Sequence, residues 1–359
     1  MGTGGSGRRR VILEVPEAWF ANPSDGDRHR MFYTSTLAAL AELGLLIDPV
    51  WLPRGAERAP RPGADRSDLI ISFHSYGDAA GNLLRCKESY IPPFYSLDPM
   101  GYACFSQLAT QPELFQAAIA AKDQGAATRF RETLSQDLRR HNRSKYPQPD
   151  PLDAPEEAGY IFVPLQVLND SVAKGAFLDP GEALLTVIRA ASARGLRTVI
   201  KRHPRCTSAR MARLLEDLSR RPQVAVSTRS IHRLIEGAAL VVGANSGVLF
   251  EALVQGKPVV SYAASDFAPV TQQVRNHADL ARAIAAPAPP DTGWRDRFLF
   301  WYLTDYCLRA DDVPAIRRRI AAALDRTDAG HDATDLRRPG YQRGLYLYSL
   351  IDRIKRRFF

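Results

Sequence analysis

Three short stretches in the second half of the chain combine residue types suited to a phosphorylated sugar. Lys201, Arg202 and His203 end an apolar run, and Pro204 then stops strand pairing. Such a cluster can neutralise a departing phosphate, and His203 can hydrogen-bond a phosphate oxygen or pass it a proton. The stretch GANSGVLFEALVQG begins at Gly243, where a strand runs into a helix. Ser246 can cap that helix, and its first free N–H groups attract an anion. Glu251, about one and a half turns further on, could accept hydrogen bonds from ribose hydroxyls. The third stretch, PLQVLNDS, sets Gln166 and Asp170 at another strand end. A carboxylate facing the cationic cluster could serve as nucleophile or general base. Each stretch also has a plainer reading: a solvated strand end, a well-capped strand-helix-strand unit, and an Asx turn or cap at Asn-Asp-Ser.

The elements around these residues predict how they are held. From Tyr160 the pattern reads strand YIFVPLQV, helix GEALLTVIRAASARG, strand LRTVIKRHP and helix SARMARLLEDLSRRP. A short strand VAVST, helix SIHRLIEGA, strand ALVVGANS, helix GVLFEALVQG and strand KPVVSYA complete it. Alternating strands and helices imply a doubly wound parallel sheet, whose ligands bind beyond the carboxyl ends of its strands. Gln166, His203, Asn245 and Ser246 all fall at such ends, which predicts one shared cleft. WRDRFLFWYLTDYCL and VPAIRRRIAAALDR read as two further helices.

The first half is a second α/β region. RRVILEV, LIDPVWLP and DLIISFHS read as strands, and HRMFYTSTLAALAELG as a helix stopped at Gly44. RGAERAPRPGADRS is a Pro/Gly-rich connector, and the stretch from Gln107 to about Arg140 is helical in pattern. SFHSYG and KESYIPPFYSLDPMGY hold His74, Lys87, Glu88, Asp98 and Tyr102. These read either as rigid loops lining a sugar cleft, with His74, Glu88, Asp98 and Tyr102 on the acceptor side, or as core and turn. HNRSKYPQPDPLDAPEEAG, with four prolines and no apolar period, is expected to link the domains. The expected domains are 1–150, 151–290 and a helical part, 291–359, packing back on the first domain and ending in a basic amphipathic tail. His29, His141, His232, His277 and His331 have no evident partners in sequence and read as surface or packing residues.

A chain of 359 residues suits two domains rather than one core. Its 45% hydrophobic and 24% charged residues are ordinary for a water-soluble fold. No run reaches the ~18 apolar residues of a membrane span, and VILEV is too short for a signal-peptide core, so a cytoplasmic location is expected. The cysteines Cys86, Cys104, Cys206 and Cys307 are scattered without CxxC spacing, which predicts reduced thiols and no zinc site. There is no P-loop, no GxGxxG after a strand, no HExxH and no GxSxG. The formal charge of +9 favours an acidic partner. No nucleic-acid-binding module is recognisable, so nucleic acid is not expected. In the last 23 residues, Tyr, Leu and Ile alternate with Arg and Lys. This tail fits either peripheral contact with an anionic membrane leaflet or an amphipathic helix packing on the protein.

PLQVLNDS, KRHP and GANSGVLFEALVQGKPV, in that order and spacing, resemble the capsule polysaccharide biosynthesis family. More narrowly, they look like its bacterial retaining β-Kdo glycosyltransferases. About 110 residues carry the resemblance, and FYSLDPMGY matches loosely. It implies two Rossmann-like domains in a GT-B-type architecture and a CMP-activated 3-deoxy-ulosonic acid donor. It further implies a glycan or glycolipid acceptor, retention of anomeric configuration, and no cofactor or metal. By this resemblance Asp170 is the catalytic carboxylate and Gln166 positions it or the sugar. Lys201 and His203 hold the donor's phosphate and carboxylate, next to Pro204. Ser246 and Glu251 bind the nucleotide, beside Asn245 and Gly247. The family often has Gly-Phe before the glutamate; here Val248, Leu249 and Phe250 precede Glu251, so the sugar pocket differs. Two alternatives stand beside this one: another cytidine-nucleotide transferase, for sialic acid or glycerophosphate, and a non-catalytic sugar-binding scaffold protein.

Overall fold

Two sets of β-branched and leucine-rich runs form two separate six-stranded sheets in the computed structural model. The structure describes residues 9–17, 23–53, 55–56, 69–79, 81–149, 158–168, 170–327 and 339–358. Contacts divide the chain into two units, residues 1–107 with 304–359, and residues 108–303. The sequence break at 150/151 differs from this division. The helices of residues 108–140 carry their apolar faces against elements of the later region: Gln124–Arg140 packs on Thr292–Trp301 and Gly247–Val254.

In the first unit, β1 (Arg10–Pro16) lies between β2 (Leu46–Leu52) and β3 (Leu69–Phe73), all parallel. β4 (Leu83–Glu88) continues the parallel set, and β5 (Phe94–Asp98) turns back antiparallel. The KESYIPPFYSLDPMGY run thus ends β4 and holds all of β5 between turns, with Tyr95 and Leu97 buried in the core. Val11, Leu13, Ile71 and Phe32 are buried in the same core. The helix expected from His29 begins earlier, at Pro23, where proline's missing N–H costs nothing. It ends as expected: Gly44 takes φ +67°, and Leu45 N–H donates to Leu40 O. The connector lies outside the described residues apart from Gly55 and Ala56.

WRDRFLFWYLTDYCL is not one helix. The α-helix covers Thr292–Trp301, a π turn follows at Tyr302–Tyr306, and β12 (Cys307–Arg309) joins β5 antiparallel. The π turn brings Tyr306 beneath the end of β5. Its hydroxyl donates to Asp98 Oδ2 at 2.6 Å, while Asp98 Oδ1 accepts the Met100 and Gly101 N–H groups at 2.7 Å. Asp98 is buried, and burial pushes its carboxyl above the ordinary aspartate value against the pull of these bonds.

The second unit holds β6 (Tyr160–Pro164), β7 (Thr198–Lys201), β8 (Val224–Val226), β9 (Ala238–Gly243), β10 (Val259–Ser261) and β11 (Gln272–Gln273). All pairings are parallel, in the order β8-β7-β6-β9-β10-β11. Counting strands along this unit, that is the Rossmann order 3-2-1-4-5-6. Val163, Ile200, Val242 and Val260 fill the sheet's core, as a sheet covered on both faces requires. The intervening helices start on side-chain caps from Asp179, Ser208, Ser230, Ser246 and Asn276.

With Gln107 N–H as a fourth donor to its carboxylate, at 3.1 Å, Asp98→Ala is expected to destabilise the protein by about 3 kcal/mol and Tyr306→Phe by about 1 kcal/mol. Urea unfolding of both variants checks this; equal and negligible losses would remove the carboxylate's structural role.

Candidate functional site

Chain order in the second sheet reverses between β6 and β9, and ligands of such sheets bind in the crevice outside that point. Gln166 follows β6 and Asn245 follows β9, on either side of it. Asn245 joins three loops there. Its backbone N–H donates to Gln166 Oε1 at 3.3 Å; its Nδ2 donates to Val172 O at 2.9 Å and Ala264 O at 3.0 Å. Asn245 is 3% exposed and Gln166 9%. Gln166 Nε2 and Asn245 Oδ1 are buried and find no hydrogen-bond partner among the described residues. Two orphaned polar atoms at a switch point are groups that a ligand could satisfy.

Asp170 stands exposed at the start of the 3-10 turn Ser171–Gly175, and its Oδ1 accepts from Ser171 Oγ at 3.1 Å. It lies close enough to His203, beyond β7, to favour that imidazole's charged form. Burial and then Arg205 outweigh it, and the His203 pKa falls below its ordinary value. His203 Nδ1 accepts the Arg205 N–H at 3.1 Å, so in the neutral ring the proton sits on Nε2, a donor for a ligand oxygen. Pro204 and Arg205 form the exposed turn that follows. Lys201 is not directed at that turn. Its ammonium donates to Thr228 O at 2.9 Å and to Arg229 O, tying β7 to the loop after β8. Lys201 thus braces the loop after β8, while His203 and Arg205 stand at the turn beyond β7.

Ser246 caps its helix through Val248 N–H at 3.4 Å, and Gly247 is the first helical residue. At the far end Gly256 takes φ +80°, and Lys257 N–H reaches back to Ala252 O. Arg295 and Arg131 aim at Gly256 O and Val254 O, and both contact the buried Asp296.

Glu251, 2% exposed, sits in a cluster that sequence reading did not find. Ser144 Oγ–H donates to Glu251 Oε1 at 2.8 Å, and His232 Nε2 lies 3.9 Å from Oε2. His232 Nε2 donates to Arg143 O at 2.8 Å, while Nδ1 accepts from Gln255 Nε2 at 3.0 Å. Asn142 Oδ1 accepts from Ser230 Oγ, and Gln148 Oε1 from Ile231 N–H. Residues 142–148 are therefore no loose linker but a strap over the Ile231–Gly237 helix and Glu251; residues 150–157 lie outside the described ones. Tyr146 of the strap meets His203 edge-to-face at 5.0 Å, and Arg205 stacks 5.1 Å over the Tyr146 ring. Burial drives the Glu251 pKa up to about 8 and lowers that of His232. At neutral pH both are mainly uncharged, so their contact is not an ion pair. Glu251 Oε2 has no hydrogen-bond partner among the described residues.

Other histidines also have partners: His29 Nδ1 with the Tyr95 hydroxyl at 2.5 Å, His277 with Thr186 at 3.0 Å, and His141 with Asp137 at 2.9 Å. His331 lies outside the described residues. The acceptor-side candidates belong to the first unit. His74 follows β3 with φ +54°, and its ring packs on Tyr102 at 4.8 Å. Glu88 is buried at the end of β4. Asp98 is committed to the loop bonds described above. All four cysteines are buried free thiols. No group of three or more His, Cys, Asp or Glu able to hold a metal occurs among the described residues.

The topology and the polar strand ends define the class: a two-unit α/β protein whose second unit is Rossmann-like, with polar groups gathered at its switch point. Residues 116–290 match the family described as capsule polysaccharide biosynthesis protein. No curated protein matches the chain with significance. Among solved structures it is similar to Thermosulfurimonas dismutans KpsC, beta Kdo 2,7 transferase. That match has 17% identity, 87% of this chain and 99% of that one covered, and a TM-score of 0.47. The beta Kdo 2,4 transferase of the same KpsC matches at 17% identity over 77% and 90%, TM-score 0.45. A UDP-GlcNAc 2-epimerase of Methanocaldococcus jannaschii, in complex with UDP-GlcNAc and UDP, matches at 8% over 82% and 99%, TM-score 0.33.

Glu251 makes stability depend on pH. Below about 4.5 the folded and unfolded chains both hold the proton; between there and about 8 only the folded chain does. Unfolding releases it, so this residue's contribution shrinks as pH rises through that window and is constant above it. Glu251→Gln is expected to melt at a temperature that rises relative to the parent's between pH 5 and pH 8. Calorimetric melting of both proteins checks it; a constant difference across the range would show that Glu251 titrates normally.

Proposed function

We propose that this chain is a retaining glycosyltransferase. It moves Kdo or a related ulosonic acid from a CMP-sugar to a bacterial surface-glycan acceptor. The observation that carries the reading is Asp170 beside His203 at neighbouring strand ends, next to a switch point with orphaned Gln166 and Asn245 groups. The family description over residues 116–290 supports the capsule context.

In this reading an Asp170 oxygen attacks the anomeric carbon as its bond to the CMP oxygen breaks. The leaving phosphate gains a negative charge. His203 Nε2–H and the Arg205 guanidinium meet that charge, assisted by the N-terminus of the Gly247–Val254 helix beside Ser246. An acceptor hydroxyl then displaces Asp170 from the same carbon. Two inversions leave the configuration retained, the logic of retaining glycosidases. Gln166, fixed through Oε1, keeps Nε2 available for the sugar. Glu251 receives the ribose. Its cover means that a ribose hydroxyl takes the place now held by Ser144 Oγ, or that the strap yields. His74, Glu88, Asp98 and Tyr102 are the acceptor-side candidates, Asp98 acting there through the loop that it holds.

Incubation with CMP-Kdo, CMP-sialate and CDP-glycerol tests the donor: only the CMP-Kdo sample is expected to release CMP. Asp170→Asn is expected to cut transfer by at least about a thousandfold while CMP binding, read by calorimetry, stays within about threefold. Normal transfer by that variant would sink Asp170 as nucleophile, and release of nucleotide from CDP-glycerol alone would assign a different donor.

A further inference from the structure

The helix Pro339–Phe358 shows two unlike faces. One packs on the first unit. Leu345 and Ser349 are each 1% exposed, Tyr348 joins the core around β1–β3, and the helix lies against β2. Asp352 is on this side too, with its carboxylate 2.9 Å from where a Cβ on Gly55 would stand.

The other face carries Tyr346, Leu347, Leu350, Ile351 and Ile354, each 42–59% exposed. Positions 346, 350 and 354 are one helical step of four apart, as are 347 and 351, so the five form a continuous stripe. They are half of the ten large hydrophobic residues exposed among the described ones. Ordinary surfaces scatter such residues singly; a stripe needs a cover. β2, under the same helix, adds the half-exposed ring of Trp51.

The charges decide what the cover is. Arg343, Arg353, Lys355 and Arg357 are exposed along the helix. Its one acidic residue, Asp352, is turned toward Gly55. An apolar stripe bordered by cations matches an interface of acyl chains and anionic headgroups. A protein partner would need an acidic rim of its own around an apolar groove, a different chemistry from that of an anionic lipid surface. No helix among the described residues is long and apolar enough to cross a membrane, so the contact is one of lying on the surface.

We propose that the Pro339–Phe358 helix docks the protein on anionic lipid, with Leu347, Leu350, Ile351 and Ile354 entering the headgroup boundary and the flanking Arg and Lys side chains meeting lipid phosphates. The assignment is independent of the donor chemistry proposed above.

Co-sedimentation of the full chain with vesicles tests it. Vesicles of phosphatidylcholine mixed with phosphatidylglycerol are expected to bind at least about tenfold more tightly than phosphatidylcholine alone, and salt at about 0.5 M should abolish the preference. Leu347→Glu with Ile351→Glu should lower binding at least tenfold with unchanged thermal melting. If that pair disturbs folding, the charge variant Arg353→Gln/Lys355→Gln/Arg357→Gln, which leaves the apolar stripe intact, should show a comparable loss. Equal binding to both vesicle types, or undiminished binding by folded variants, overturns the proposal. So does a parent protein that ignores vesicles but self-associates in sedimentation velocity through Leu347 and Ile351, which would assign the stripe to a second copy.

Discussion

At the switch point of the second unit, one buried side-chain amide draws three loops together. Asn245 ties the loops after β6, β9 and β10 to one another, through Gln166, Val172 and Ala264. Parallel strands by themselves fix only the direction in which their ends point. Beyond them, backbone bonds from Phe177 N–H to Tyr262 O and from Ala264 N–H to Gly175 O join the loops after β6 and β10, and Asn245 brings in the loop after β9. A buried amide with two donors can satisfy two carbonyls from different loops, and leaving either unmet would cost about 1–3 kcal/mol. The positions of Gln166 and of the turn carrying Asp170 follow from this clamp.

Around it, polar groups are buried in forms that keep them uncharged. Glu251 and His232 lie 3.9 Å apart, yet burial moves their pKa values in opposite directions, toward neutrality in each. A buried charged pair would need more hydrogen bonds than this cluster provides. The neutral pair needs only Ser144, Arg143 and Gln255, and it leaves one carboxyl oxygen without a bond. The strap of residues 142–148 is what excludes water here, so the ionisation of Glu251 and the placement of the strap are one equilibrium. Tyr146 extends the same strap to His203 and Arg205.

The helix that presents Ser246 is held at its other end by cations. Arg131 and Arg295 reach its last carbonyls, and Asp296 balances them. Arginines at the C-terminus favour the helix dipole while leaving the N-terminus to attract an anion. Arg131 comes from residues 108–140, which explains why that helical region belongs with the second unit and not the first.

Much of the second unit was legible in the amino-acid order. Alternating apolar runs and helical periods predict its strands, because a sheet covered on both faces demands apolar residues at nearly every position. Gly44 and Gly256 mark helix ends, because each takes a positive φ that other residues resist. KRHP, GANSG and PLQ stood out because polar residues at strand ends interrupt those runs. Only the tertiary structure decided what depends on distant partners. It turned Lys201 to the carbonyls of Thr228 and Arg229, committed Asp98 to Tyr306, and folded a proline-rich stretch into a strap over Glu251. Local patterns record backbone preference and burial. They carry no term for a hydrogen bond between Ser144 and Glu251, which lie 107 residues apart.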